Sequence, residues 1–87
     1  MRKSRSATRI ELAAIGRRIR ELRGFHMTQT EFARRIQVAQ SYLSALERGE
    51  KEPGAAVLFA ISNEFGKSVD WLLTGKAFVE PKKGLPK

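Results

Sequence analysis

Residues 28–49 read TQTEFARRIQVAQSYLSALERG, and the punctuation of this stretch decides the fold. Thr28, followed three residues later by Glu31, is a capping box: each side chain accepts a hydrogen bond from the other's backbone N–H at a helix start. Phe32, Ala33 and Ile36 then fall on one face of a short helix, with Arg34 and Arg35 turned away. Val38 is an apolar plug in a turn of about four residues. A second short helix is predicted from Ala39 or Gln40 to Arg48, with Gly49 as its stop. Leu43 and Leu46 are its only large aliphatic residues, so this helix is expected to be mostly exposed and to have a use for its outer face.

On a wheel of about 100° per residue, Leu43 and Leu46 define the inner side, and Ser41, Ser44, Ala45 and Arg48 gather opposite them. Gln40 stands at the helix N-terminus, where a side chain reaches forward. A glutamine amide pairs with the N6 and N7 edge of adenine, a serine hydroxyl bonds to several bases, and an alanine methyl touches a thymine methyl. Polar outer faces are common on solvated helices. Here the face follows a matching first helix and turn, which makes the pair a helix-turn-helix whose second helix enters a DNA major groove. Gln29 opens the first of the two helices and is placed either to bond a phosphate or to brace Gln40.

The flanking sequence completes an all-α bundle of five helices. Thr8 and Glu11 form another capping box, and Leu12, Ile15, Ile19 and Leu22 make one stripe of a helix ending near Arg23 and Gly24. After the EKEPG loop, Leu58, Ile61 and Phe65 give a fourth helix stopped by Gly66. Ser68 caps a last short helix through Trp71 to Leu73, and Gly75 closes the compact part. The organisation is a basic arm over 1–7, a domain over 8–75, and a basic tail over 76–87.

Charge separates these parts. Eight bases against two acids give residues 1–23 a charge of +6, five against six give 24–75 a charge of −1, and four against one give 76–87 a charge of +3. The total is +8, which suits a polyanionic partner. Because the central segment is near neutral, phosphate attraction is assigned to Arg2, Lys3, Arg5, Arg9 and the first-helix arginines, with the arm following the DNA backbone or a minor groove. There is no cysteine, so disulfides and thiolate metal sites are excluded, which fits the cytoplasm. The longest apolar run, seven residues from Ala55 to Ile61, is too short for a membrane span, and no signal-peptide core follows the basic start.

The stretch from Ile15 to Gly75 resembles the helix-turn-helix family of the phage Cro and lambda repressors, also called the xenobiotic-response-element family. The pieces that carry the resemblance are TQTEFARRI, VAQSYLSALERGE, the Glu-Pro break and FGKSVDWLLTG, in that order. The resemblance implies base contacts from Gln40, Ser41, Ser44 and Ala45, and phosphate contacts from Gln29, Tyr42, Arg48 and Lys51. It also implies a partly buried Glu47 paired with Arg23. The chain departs from the family pattern at three points. Gln37 stands where glycine is usual and is expected to take a left-handed conformation at about 1–2 kcal/mol. Ala39 replaces a capping Ser or Thr, and the link RGFHMT is about one residue shorter than usual.

Other chemistry finds little support. His26 is the only histidine and has no companion ligand, so no metal site and no cofactor are expected. Nothing orders His26, Asp70 and a serine into a catalytic set, so no enzyme activity is expected. Trp71, Phe59 and Phe65 are assigned to the core rather than to base stacking. The expected function is a sequence-specific double-stranded DNA-binding regulator, a repressor acting as a homodimer on an inverted repeat, with Trp71 to Leu73 and Ala77–Phe78–Val79 as dimer contact. The alternative is a protein–protein module, such as a toxin-neutralising antitoxin or an adaptor, that retains the fold and exposes a large apolar patch. An RNA binder requires exposed aromatics or a basic groove, and the central segment has neither.

Overall fold

The computed structural model describes residues Ile10–Lys76; the expectations for Thr8, the basic arm and Ala77–Phe78–Val79 lie outside them. Five helices follow in order: α1 Leu12–Arg23, α2 Gln29–Arg35, α3 Gln40–Glu47, α4 Ala55–Phe65 and α5 Val69–Thr74. No strand occurs among the described residues. Helix α1 packs on α3 and on α5, α2 on α3, and α4 on α5. Ile15 and Ile19, Phe32, Leu43 and Leu46, Ile61, and Leu72 bring one or two fully buried side chains from each helix into a single core. Each such side chain contributes about 1.5–3 kcal/mol by leaving water.

Local chemistry accounts for the helix ends. The Thr28 box is complete: Glu31 N–H donates to Thr28 Oγ1, and Thr28 N–H donates to Glu31 Oε1, both at 3.1 Å. Ser68 Oγ accepts from Trp71 N–H at 3.0 Å. The start of α1 differs from the expected box, because Glu11 is itself the N-cap, in extended conformation and with no side-chain cap bond.

The two aromatics of α4 diverge. Phe65 stacks on Phe32, with ring centroids 4.5 Å apart. Phe59, assigned to the core from sequence, is 67% exposed, because the buried stripe of α4 runs through Ile61 and turns Phe59 outward. Trp71 packs against the core and carries the Lys67 ammonium over its ring at 4.9 Å. Arg18 ties α1 to α5, donating from Nη1 to Leu72 O at 2.8 Å.

Candidate nucleic-acid interface

The turn between α2 and α3 is built by hydrogen bonds that end α2 sharply. Gln37 N–H donates to Arg34 O at 3.1 Å and Val38 N–H to Ala33 O at 2.9 Å, the paired bonds of a Schellman motif. The motif requires a left-handed residue, and Gln37 has φ 63°. Ala39 precedes α3 in extended conformation with no side-chain cap. The first turn of α3 is therefore held by packing and by Gln40 rather than by a capping hydroxyl.

A buried carboxylate organises the arrangement from behind. The Glu47 side chain is 0% exposed. Its Oε2 accepts from Arg23 Nε and its Oε1 from Arg23 Nη2, both at 2.8 Å, a bidentate pair. Oε1 also accepts from Gln29 Nε2 at 2.9 Å, and Arg20 Nε stands 3.7 Å away. Burial by itself raises the Glu47 pKa, but the hydrogen bonds from Arg23 and Gln29 and the charges of Arg23 and Arg20 outweigh it and hold the carboxyl below the ordinary range. The Arg23 guanidinium is shifted up in return, chiefly by its hydrogen bond to Glu47.

The chain of bonds continues outward. Gln40 Nε2 donates to Gln29 Oε1 at 2.6 Å. The network Arg23–Glu47–Gln29–Gln40 thus joins the end of α1, the end of α3, the start of α2 and the start of α3, and it ends on an exposed side chain.

The other residues named from sequence are distributed as follows. Gln40, Ser41, Arg48 and Lys51 are exposed, while Gln29, Tyr42 and Ser44 are half-buried, with Tyr42 packed against the core. Ala45 needs correction. It is 7% exposed, so it does not stand on the open face with Ser41. Both α1 and α2 pack on α3, so more of its circumference is covered than two leucines mark on an isolated wheel. With Ala45 and Glu47 both buried, α3 is also less exposed than expected from its two leucines.

Arg48 is already engaged. Its Nε and Nη2 donate to the two carboxylate oxygens of Glu50 at 3.0 and 2.9 Å, and its Nη1 donates to Ser44 Oγ. The hydrogen bond from Arg48 lowers the Glu50 pKa and raises that of Arg48. Sequence reading missed Glu50, since residues two apart are not neighbours on a helix. The available signal was Gly49 between them, whose φ of 76° turns the chain so that the two side chains meet.

Among the described residues no group of three or more His, Cys, Asp or Glu is placed to hold a metal ion, and no helix is long and apolar enough to cross a membrane. His26 lies exposed in the loop between α1 and α2, beside Phe25.

Comparison with known proteins agrees with this geometry. The family described as Helix-turn-helix matches residues 17–72. The clp gene regulator ClgR from Corynebacterium glutamicum is 32% identical, over 75% of this chain and 70% of its own, with a TM-score of 0.65. The P22 c2 repressor, solved in complex with a synthetic operator, is 33% identical over 71% of this chain and 96% of its own, with a TM-score of 0.67. The restriction-modification controller protein C.AhdI from Aeromonas hydrophila, 24% identical over 71% of this chain and 96% of its own, shares the fold with a TM-score of 0.64. No curated protein sequence matches the chain. With the family match spanning more than half of the residues and an exposed amide braced at the start of α3, the chain belongs to the helix-turn-helix family of the phage Cro and lambda repressors.

Proposed function

We propose that this chain binds an inverted-repeat operator as a homodimer and represses transcription from it. Family membership makes it a DNA-binding transcriptional regulator; the operator symmetry, the dimer and the residue roles are the proposal. The observation that carries it is Gln40. This exposed amide opens α3 and is held by Gln29, which is held in turn by the buried Glu47. A side chain fixed by two successive hydrogen bonds loses little freedom on meeting a base edge. Gln40 and Ser41 read bases, with Ser44 beside them. Tyr42, Lys51 and the start of α2 at Gln29 face phosphates, supported by the arginines of α1.

Dimerisation is argued from size. One domain of this kind covers too little DNA for useful affinity, and two copies give half-sites about one helical turn apart. The surface around Trp71 and Leu73, both half-buried, is the proposed contact. No covalent chemistry and no cofactor enter this function, and a regulator of this kind works where the DNA is, in the cytoplasm.

Selection of bound sequences from randomised duplexes tests the proposal. An enriched inverted repeat, with a dimer on it by sedimentation, supports it. Enrichment of a single asymmetric site by a monomer removes the dimer. A second reading, a module that docks another protein, draws on Phe25 at 101% exposure and Phe59 at 67%. It predicts no enriched sequence at all in the same experiment.

A further inference from the structure

The clamp at the end of α3 bears on how bases are discriminated, and the inference rests on the reading of α3 as the groove-facing helix. Ser44 is an ambiguous reader in isolation, since its hydroxyl both donates and accepts. In this structure Ser44 Oγ accepts a hydrogen bond from Arg48 Nη1, one turn further along the helix. Arg48 does not hang free. Glu50 grips it through two oxygens at 3.0 and 2.9 Å.

Glu50 itself is placed by backbone. Gly49 N–H donates to Leu46 O at 3.0 Å and Glu50 N–H to Ala45 O at 2.9 Å, a second Schellman motif closed through the left-handed Gly49. A Cβ on Gly49 would stand 2.9 Å from Ala13 Cα, so the turn is also pinned against α1.

We infer that Glu50 and Arg48 are positioning residues that fix Ser44 as a hydrogen-bond donor, so that the chain disfavours cytosine at the strand position facing Ser44. The argument is electrostatic. A guanidinium N–H on the serine oxygen occupies one lone pair and polarises the hydroxyl, which strengthens it as a donor and weakens it as an acceptor. In the major groove guanine offers N7 and O6, adenine N7 and thymine O4, all acceptors; cytosine offers only its N4 amino donor. Arg48 therefore acts through Ser44, and its guanidinium is withheld from phosphate by Glu50.

Selection from randomised duplexes with the full chain and the variants Ser44→Ala, Ser44→Thr, Arg48→Gln and Glu50→Gln tests this. Thermal melts first verify that each variant folds, as is expected for changes at exposed or half-exposed positions. The wild type is expected to exclude cytosine at one position per half-site. S44A, R48Q and E50Q are expected to relax that position, by roughly two- to ten-fold in enrichment, with the Gln40 position unchanged. S44T keeps the hydroxyl and is expected to keep the exclusion. If R48Q and E50Q leave the pattern intact and change only overall affinity and its salt dependence, Arg48 is a phosphate ligand and the inference is overturned. If S44A alters no position, Ser44 reads nothing and the inference also falls. If the wild type enriches no sequence, the failure belongs to the groove reading of α3 itself, and the inference falls with it.

Discussion

Gln40 Nε2 and Gln29 Oε1 are 2.6 Å apart, a hydrogen bond across the turn that separates α2 from α3. The orientation of both amides follows from the carboxylate behind them. Glu47 only accepts, so Gln29 presents its NH2 to Glu47 and its carbonyl to Gln40. Gln40 must then offer its own NH2 to Gln29, which leaves its carbonyl oxygen and second N–H facing outward. That remaining pair is the donor and acceptor combination that matches adenine N7 and N6.

Replacing Gln40 by Ala is accordingly expected to relax base preference at one position per half-site, at about 1–3 kcal/mol. Gln29→Ala removes the brace without touching a base, and is expected to relax the same position by a smaller amount. The double variant should be no worse at that position than Gln40→Ala alone, because the two residues act as one unit. Competition gel shifts on single-base operator variants measure the coupling; additive losses would show that the amides act separately.

The Arg23–Glu47 pair makes a stability prediction with a sign in pH. Arg23→Met leaves a carboxylate buried without its main partner, at an expected cost of about 3–5 kcal/mol near neutral pH. In the wild type the lowered Glu47 pKa contributes stability in full above the ordinary carboxylate value of about 4.3, and this is lost as pH falls through the lower folded-state value. In Arg23→Met burial dominates and the pKa rises, so the sign reverses and the variant's deficit shrinks as acid protonates Glu47. Urea unfolding at neutral pH and near pH 4 measures this. A deficit that is the same at both values would mean that Glu47 is not the charge left behind.

The parts of this structure that are legible in sequence are those set by neighbours a few positions apart. Thr28 with Glu31, and Ser68, are decided within one turn of chain and the stripe of α1 within four residues, whereas the left-handed Gln37 follows from the family resemblance, which puts glycine at that position. The wheel misplaces Ala45 because it treats a helix as an isolated cylinder, whereas α3 is packed by both α1 and α2. The Arg48–Glu50 clamp has a signal only in Gly49, whose left-handed turn brings together two side chains that helical spacing keeps apart. Helical spacing and the flanking leucines point Phe59 to the core, yet it sits one position, about 100°, from Leu58 and outside the buried stripe. Gly16 carried no sequence signal, since its role lies in a helix brought against α1 from thirty residues further on.

Gln37 stores a small, removable strain. At φ 63° it occupies the left-handed position that glycine takes without penalty. Gln37→Gly is expected to stabilise the domain by about 1 kcal/mol, somewhat less than the steric cost because glycine has more freedom to lose on folding. For a domain of this size that raises Tm by roughly 4–8 °C. Gln37→Val, with a branched Cβ in the same conformation, should lower it. Calorimetry on the three proteins measures the order Gly, Gln, Val, and a Gly variant no more stable than the wild type would mean that the turn is held open by something other than backbone conformation.

Gly16 gives a test in which two principles predict opposite signs. In the interior of a helix, glycine to alanine normally stabilises by about 1 kcal/mol. At this position a Cβ would stand 2.5 Å from both Leu46 O and Glu47 O. Those atoms are backbone at the end of α3 and cannot rotate aside, so α1 and α3 would have to separate. The same crossing carries the Arg23–Glu47 bonds at 2.8 Å, which a shift of a few tenths of an ångström would lengthen. Gly16→Ala is therefore expected to destabilise by about 3 kcal/mol, the upper end for overpacking, because no side chain can absorb the change. DNA binding should fall with it, since Gln29 and Gln40 are aligned through the same carboxylate. Chemical denaturation together with a duplex-binding titration decides the matter: a more stable Gly16→Ala variant would show that α1 and α3 do not meet backbone to backbone at this residue.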